Sequence, residues 1–132
     1  MEQQIPRVLI VEDETPLRKA LARKLSSSGF EVREARDGEE GLNLALHEHP
    51  DLILLDIIMP VMDGLTMLKK MRVDDWGKTA RVIILTNLSD EGASQQSLEN
   101  GALDFLVKAA WTMDDVLLRV RAVLEKTTTP AS

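Results

Sequence analysis

The sequence predicts an α/β domain, a parallel sheet covered by helices on both faces. Three observations carry that expectation. Val8-Leu9-Ile10-Val11, Leu52-Ile53-Leu54-Leu55 and Val82-Ile83-Ile84-Leu85 are apolar runs with no polar alternation, the pattern of strands buried on both faces. Segments of helical periodicity separate these runs, joined by short loops. Each run also ends directly on a polar or acidic residue, which a parallel sheet gathers on its carboxyl edge.

The first strand, Arg7 to Val11, runs into Glu12-Asp13-Glu14. Three adjacent acids cannot all stay close without a cation. Thr15-Pro16 has the form of an N-cap followed by proline at the first helical position. Leu17, Leu21 and Leu25 mark one face of that helix, with Arg18, Lys19, Arg23 and Lys24 elsewhere on it. Ser26-Ser27-Ser28-Gly29 ends it. Phe30 to Ala35 follows as a more exposed strand, with Phe30, Val32 and Ala35 inward, and Asp37-Gly38 reads as a turn. A short helix over Gly41 to Glu48 buries Leu42, Ala45 and Leu46 and stops at Pro50.

Leu52 to Leu55 forms the third strand, with Asp56 at its end and Asp63-Gly64 closing the turn beyond Met59-Pro60. Leu65, Leu68, Met71 and Arg72 space out a third helix that fades at Asp74-Asp75-Trp76-Gly77. Arg81 to Leu85 is the fourth strand, ending at Thr86. Ser89 to Asn100 is helical with a weak apolar face, and Gly101 is its C-cap. Asp104 to Val107 makes a fifth strand that ends at Lys108. Thr112 with Asp115 fits a capping box, ahead of an amphipathic helix through Met113, Val116, Leu117, Val120, Val123 and Leu124. The first, third and fourth strands are the most apolar and should be central. That gives the flavodoxin-like (βα)5 order 2-1-3-4-5. One domain is expected over residues 1–126, with 127–132 a loose tail or the start of a linker.

Composition narrows the function. The net charge of -6 and the lack of any basic run argue against a nucleic-acid surface. The absence of cysteine excludes disulfides and thiolate chemistry. His47 and His49 are expected as exposed helix-end residues rather than ligands. No stretch has the form of a signal peptide or a membrane span, so a cytosolic protein is expected.

Glu12-Asp13, Asp56, Thr86 and Lys108 each follow an apolar run, so the parallel sheet should bring all of them to one edge. Three carboxylates, a hydroxyl and an ammonium suit phosphoryl transfer to a carboxylate. Two acids can hold Mg²⁺, Asp56 can attack phosphorus, and Lys108 can neutralise the transferred group.

On Val-Glu-Asp-Glu at 11–14, Leu-Leu-Asp-Ile-Ile-Met-Pro-Val-Met-Asp-Gly at 54–64, Leu-Thr-Asn at 85–87 and Gly-Ala-Leu-Asp-Phe-Leu-Val-Lys at 101–108, the chain closely resembles the receiver domain of two-component response regulators. The resemblance covers nearly the whole chain. It implies that Asp56 accepts phosphate from a histidine kinase or phosphotransfer protein, and that Glu12, Asp13, Asp56 and the Ile58 carbonyl place Mg²⁺. It implies Thr86 and Phe105 as a switch pair, and a signalling switch rather than an enzyme with an external substrate, acting on a downstream protein not identified by these residues. By analogy with transcription-factor receivers, Arg119 and Arg121 could pair with Asp104 across a dimer.

Four positions depart from or tune that pattern. Ala109 stands where the family usually has a proline in a cis peptide, and Asn87 is larger than the usual neighbour of the switch threonine. In that family the positions of Ile58 and Leu88 flank the path of the hydrolytic water; both are apolar here and offer it no polar group, so slow self-dephosphorylation is expected. A flavin-binding protein of this strand order is disfavoured by Glu-Asp-Glu after the first strand, which would repel a phosphate. An Asp-dependent phosphatase would need a second acid where Ile58 stands. The remaining alternative is a degenerate receiver that binds a partner without being phosphorylated.

Overall fold

The computed structural model describes residues 5–86, 91–107 and 111–128. Five strands, β1 (Arg7–Val11), β2 (Glu31–Ala35), β3 (Leu52–Asp56), β4 (Val82–Thr86) and β5 (Asp104–Val107), form one parallel sheet in the order β2-β1-β3-β4-β5. The helices are α1 (Thr15–Ser27), α2 (Gly38–Glu48), α3 (Gly64–Met71), α4 (Glu91–Glu99) and α5 (Met113–Thr128), with a 3-10 turn at Gly77–Thr79. The predicted order and the central place of the three apolar strands hold.

Alternate residues of each central strand feed two separate cores. Leu9, Val11, Ile53, Leu55, Val82 and Ile84 pack with Ala45 of α2 and Met67, Leu68 and Met71 of α3. Val8, Ile10, Leu52, Leu54, Ile83 and Leu85 pack on the other face with Leu21 and Leu25 of α1 and Val116, Val120 and Leu124 of α5. Side chains of a strand alternate between faces, so runs that show no alternation are what two covered faces require. On the edge strand β2 the faces separate too. Phe30, just ahead of the strand, and Val32 approach the α1–α5 core, whereas Ala35 enters the α2–α3 core.

Helix ends account for most differences from expectation. Helix α1 begins one residue early, with Glu14 rather than Thr15 as N-cap and no side-chain cap bond; the Glu12 carboxylate receives the Glu14 amide (3.1 Å) and sets the chain's entry. Asp37-Gly38 is no separate turn. The Asp37 side chain accepts the Glu40 amide at 2.9 Å and starts α2 at Gly38. Helix α3 ends at Met71, ahead of the expected fade. Thr112 and Asp115 do form the reciprocal capping box, at 3.2 and 2.8 Å. The helix they start spans Met113–Thr128.

Gly29 and Gly101 terminate α1 and α4 in the left-handed region, at φ of 99° and 88°. Each is followed by an amide that reaches back to close the last turn, Phe30 to Leu25 and Ala102 to Ser97. His49 takes the same conformation at the end of α2 (φ 50°), and its exposed ring stacks on Trp76 with centroids 4.5 Å apart.

Candidate functional site

Parallel register sets the site. Val11 pairs with Leu55 and Asp56 with Leu85, so Glu12, Asp56 and Thr86 lie at the ends of three adjacent strands on the carboxyl edge. Glu12, Asp56 and Thr86 are 0%, 4% and 2% exposed, far below what such polar residues show as solvated loop ends. Asp13 is exposed beside them. Carboxylate oxygens of Glu12, Asp13 and Asp56 all lie within 4.8 Å of one another. Like charges this close, two of them out of water, favour a bound cation.

The donor set suits Mg²⁺. It is made only of hard carboxylate oxygens, the donors that Mg²⁺ takes, and Glu12, Asp13 and Asp56 are the residues that would hold it.

The chain beyond Asp56 is tied back to the sheet. The Ile57 amide donates to the Leu85 carbonyl (3.4 Å) and the Gly64 amide to the Ile57 carbonyl (2.7 Å). Asp63 caps α3 by accepting the Thr66 amide at 2.8 Å. Between these ties the Met62 amide donates to the Pro60 carbonyl at 2.7 Å, around Val61 at φ 68°. That is a γ-turn, with a β-branched residue in the left-handed region. The Met62 carbonyl in turn accepts the Gly38 amide (3.0 Å), which anchors the loop to the start of α2. Ile58 and Val61 project into solvent, 57% and 76% exposed.

Of the predicted site residues, Glu12, Asp13, Asp56 and Thr86 come together, and Ile58 stands exposed at the rim. Phe105 lies on β5 opposite Ile84; its backbone alone is described. Asn87, Leu88, Lys108 and Ala109 lie outside the described residues. Arg119 and Arg121 are exposed on α5, and Asp104 opens β5.

Sequence reasoning missed Arg18. It was expected away from the apolar face, yet it is buried, and its guanidinium donates to the Glu12 carbonyl. The signal was its spacing: Arg18 stands three residues before Leu21 and seven before Leu25, on the inward face of α1. The strained γ-turn at Val61 was missed as well, since nothing in Pro-Val-Met marks it.

Comparisons with known proteins agree with this geometry. The family model described as the response regulator receiver domain matches residues 8–121. The DNA-binding dual master transcriptional regulator RpaA of Synechocystis is 35% identical over 93% of this chain and 51% of its own length. The response regulator MprA of Mycolicibacterium vanbaalenii is 35% identical over 92% of this chain and 52% of its own. The chain thus spans about half the length of these curated relatives. Among solved structures, the chemotaxis response regulator CheY4 of Vibrio cholerae superposes with a TM-score of 0.84 at 30% identity, covering 92% of this chain and all of that one.

Proposed function

Since this chain belongs to the response regulator receiver domain family, we propose that Asp56 is its phosphoacceptor and that Glu12, Asp13 and Asp56, with the Ile58 carbonyl, hold Mg²⁺ for the transfer. One observation carries the reading: a buried strand-end carboxylate lies within 4.8 Å of two further acids, beside the buried Thr86 at the end of the neighbouring strand. A carboxylate oxygen of Asp56 bonds to phosphorus as the phosphorus–nitrogen bond of a donor phosphohistidine breaks. Mg²⁺, when bound, supplies the positive charge that lets three carboxylates and an incoming phosphoryl group share one pocket.

Lys108 neutralises the oxygens of the transferred group, and the Thr86 hydroxyl donates to one of them. Phe105 follows Thr86 inward, so that phosphorylation reshapes the face that a downstream protein reads. The donor is a sensor histidine kinase or a phosphotransfer protein. A second copy of the chain is a further partner in the phosphorylated state, through Arg119 and Arg121 against Asp104.

Intact mass after incubation with Mg²⁺ and acetyl phosphate tests the reading, with Asp56→Asn alongside. A single phosphoryl adduct that requires Mg²⁺ and disappears in the variant is expected. Bound Mg²⁺ with no adduct would instead favour a receiver that recognises its partner without phosphorylation.

A further inference from the structure

We propose that Arg18 is a positioning residue for the acidic pocket: anchored by Glu34, its guanidinium fixes the Glu12 backbone and so sets Glu12 and Asp13 against Asp56 for a divalent cation. The inference rests on the metal-dependent reading above and assigns that site a support outside the carboxylates themselves.

Arg18 is 6% exposed on the inward face of α1. Its Nη1 donates to the Glu12 carbonyl at 3.0 Å, and its Nε donates to Glu34 Oε1 at 3.1 Å. Glu34, on β2, is itself held by Lys19, whose Nζ donates to Oε2 at 3.3 Å. The Glu12 amide donates to the carbonyl of Ala35, the residue after Glu34, at 3.0 Å. Both polar groups of the Glu12 backbone are therefore tied to adjacent residues of β2, one directly and one through Arg18. The Glu12 side chain completes the clamp by accepting the Glu14 amide at 3.1 Å.

Packing alone does not explain an arginine here. A leucine or methionine would join Leu21 and Leu25 without removing a charge from water. A rigid fork that reaches a carboxylate and a carbonyl together is what arginine adds. Glu12 and Asp13 lie on the loop between β1 and α1, and residues that orient ligands contribute to metal affinity through geometry.

Charge and position make opposite predictions, which separates them. A cation near the pocket repels Mg²⁺, so on charge alone loss of Arg18 would tighten binding. If Arg18 acts by position, its loss weakens binding. Isothermal calorimetry of Mg²⁺ binding to the unphosphorylated chain reads this directly. Arg18→Met is expected to raise the Mg²⁺ dissociation constant about tenfold, with partial rescue in Arg18→Lys. The charge-neutral double variant Arg18→Met with Glu34→Met is expected to match Arg18→Met, and removing a buried pair together avoids stranding one charge if the single variant fails to fold. Saturating Mg²⁺ should restore the rate of phosphorylation by acetyl phosphate in each. Wild-type affinity or tighter in Arg18→Met, or in the double variant, with binding lost in Asp13→Asn, overturns the role of Arg18 and leaves the metal site standing. Absence of Mg²⁺ binding in the wild type, or wild-type binding in Asp13→Asn, overturns the metal reading and this inference with it.

Discussion

Gly64 lies against the main chain of Asp56, where a Cβ would overlap the Asp56 carbonyl oxygen. The start of α3 and the candidate phosphoacceptor therefore share one close contact, which only a residue without a side chain permits. Gly64→Ala is expected to cost about 1–3 kcal/mol and to slow phosphorylation by displacing Asp56. Urea unfolding and adduct formation measure the two effects. Wild-type behaviour in both would show that the loop yields without moving Asp56.

Val61 carries strain that its sequence does not require. A left-handed conformation costs an L-residue about 1–2 kcal/mol, and a glycine recovers that at an entropic cost of about 0.5–1 kcal/mol. Val61→Gly should therefore stabilise the domain by about 0.5–1 kcal/mol, and Val61→Asn should act in the same direction. A lower urea midpoint in both variants would contradict the γ-turn as a source of strain.

Arg72, at the carboxyl end of α3, ties the 3-10 turn at Gly77–Thr79 to the carboxyl end of α4. Its guanidinium donates to the carbonyls of Gly77 (2.7 Å), Ala80 (2.8 Å), Asn100 (2.8 Å) and Gly101 (3.1 Å). Burial pushes its pKa down from the ordinary value. Arg72→Ala leaves those carbonyls short of a donor and is expected to cost about 2–4 kcal/mol. Arg72→Lys should recover less than half of that loss, because one ammonium cannot span four carbonyls. Thermal melts of the two variants give the comparison.

Self-dephosphorylation is expected to be slow, because Ile58 and Leu88 offer no group to orient a water. Ile58→Asn with Leu88→Glu should shorten the phosphoryl half-life by about tenfold, less than the roughly hundredfold or more of a full general acid or base, because these side chains would only orient the water. The decay of the adduct by mass is the readout. An unchanged half-life would remove these two positions from the chemistry.

The Lys24–Asp114 pair joins α1 to α5 at 2.6 Å. Its hydrogen bond and charge hold the Asp114 carboxyl below the ordinary value of 3.8. A lowered carboxyl pKa contributes stability that is present above the ordinary value and is lost as pH falls through the folded one. The melting temperature of Asp114→Asn should thus lie slightly below wild type at neutral pH and converge with it in acid. The difference should also shrink in salt, because the pair is exposed. A difference that persists in acid would assign the effect to packing.

The sequence by itself determined the sheet, its order and the edge where the acids meet. Those follow from unbroken apolar runs, which two covered faces require, and from the polar residue each run ends on. It marked Gly101 and the Thr112–Asp115 box for the same reason: local hydrogen bonding is written in adjacent residues. Tertiary structure decided the rest. Arg18 looks like one more basic residue on α1 until Glu34 on β2 and the Glu12 carbonyl give its charge partners. The left-handed turn at Val61 arises because Met62 must meet Gly38 across the fold while Gly64 returns to Ile57. Such features depend on groups far apart in the chain, and periodicity along one segment carries no record of them.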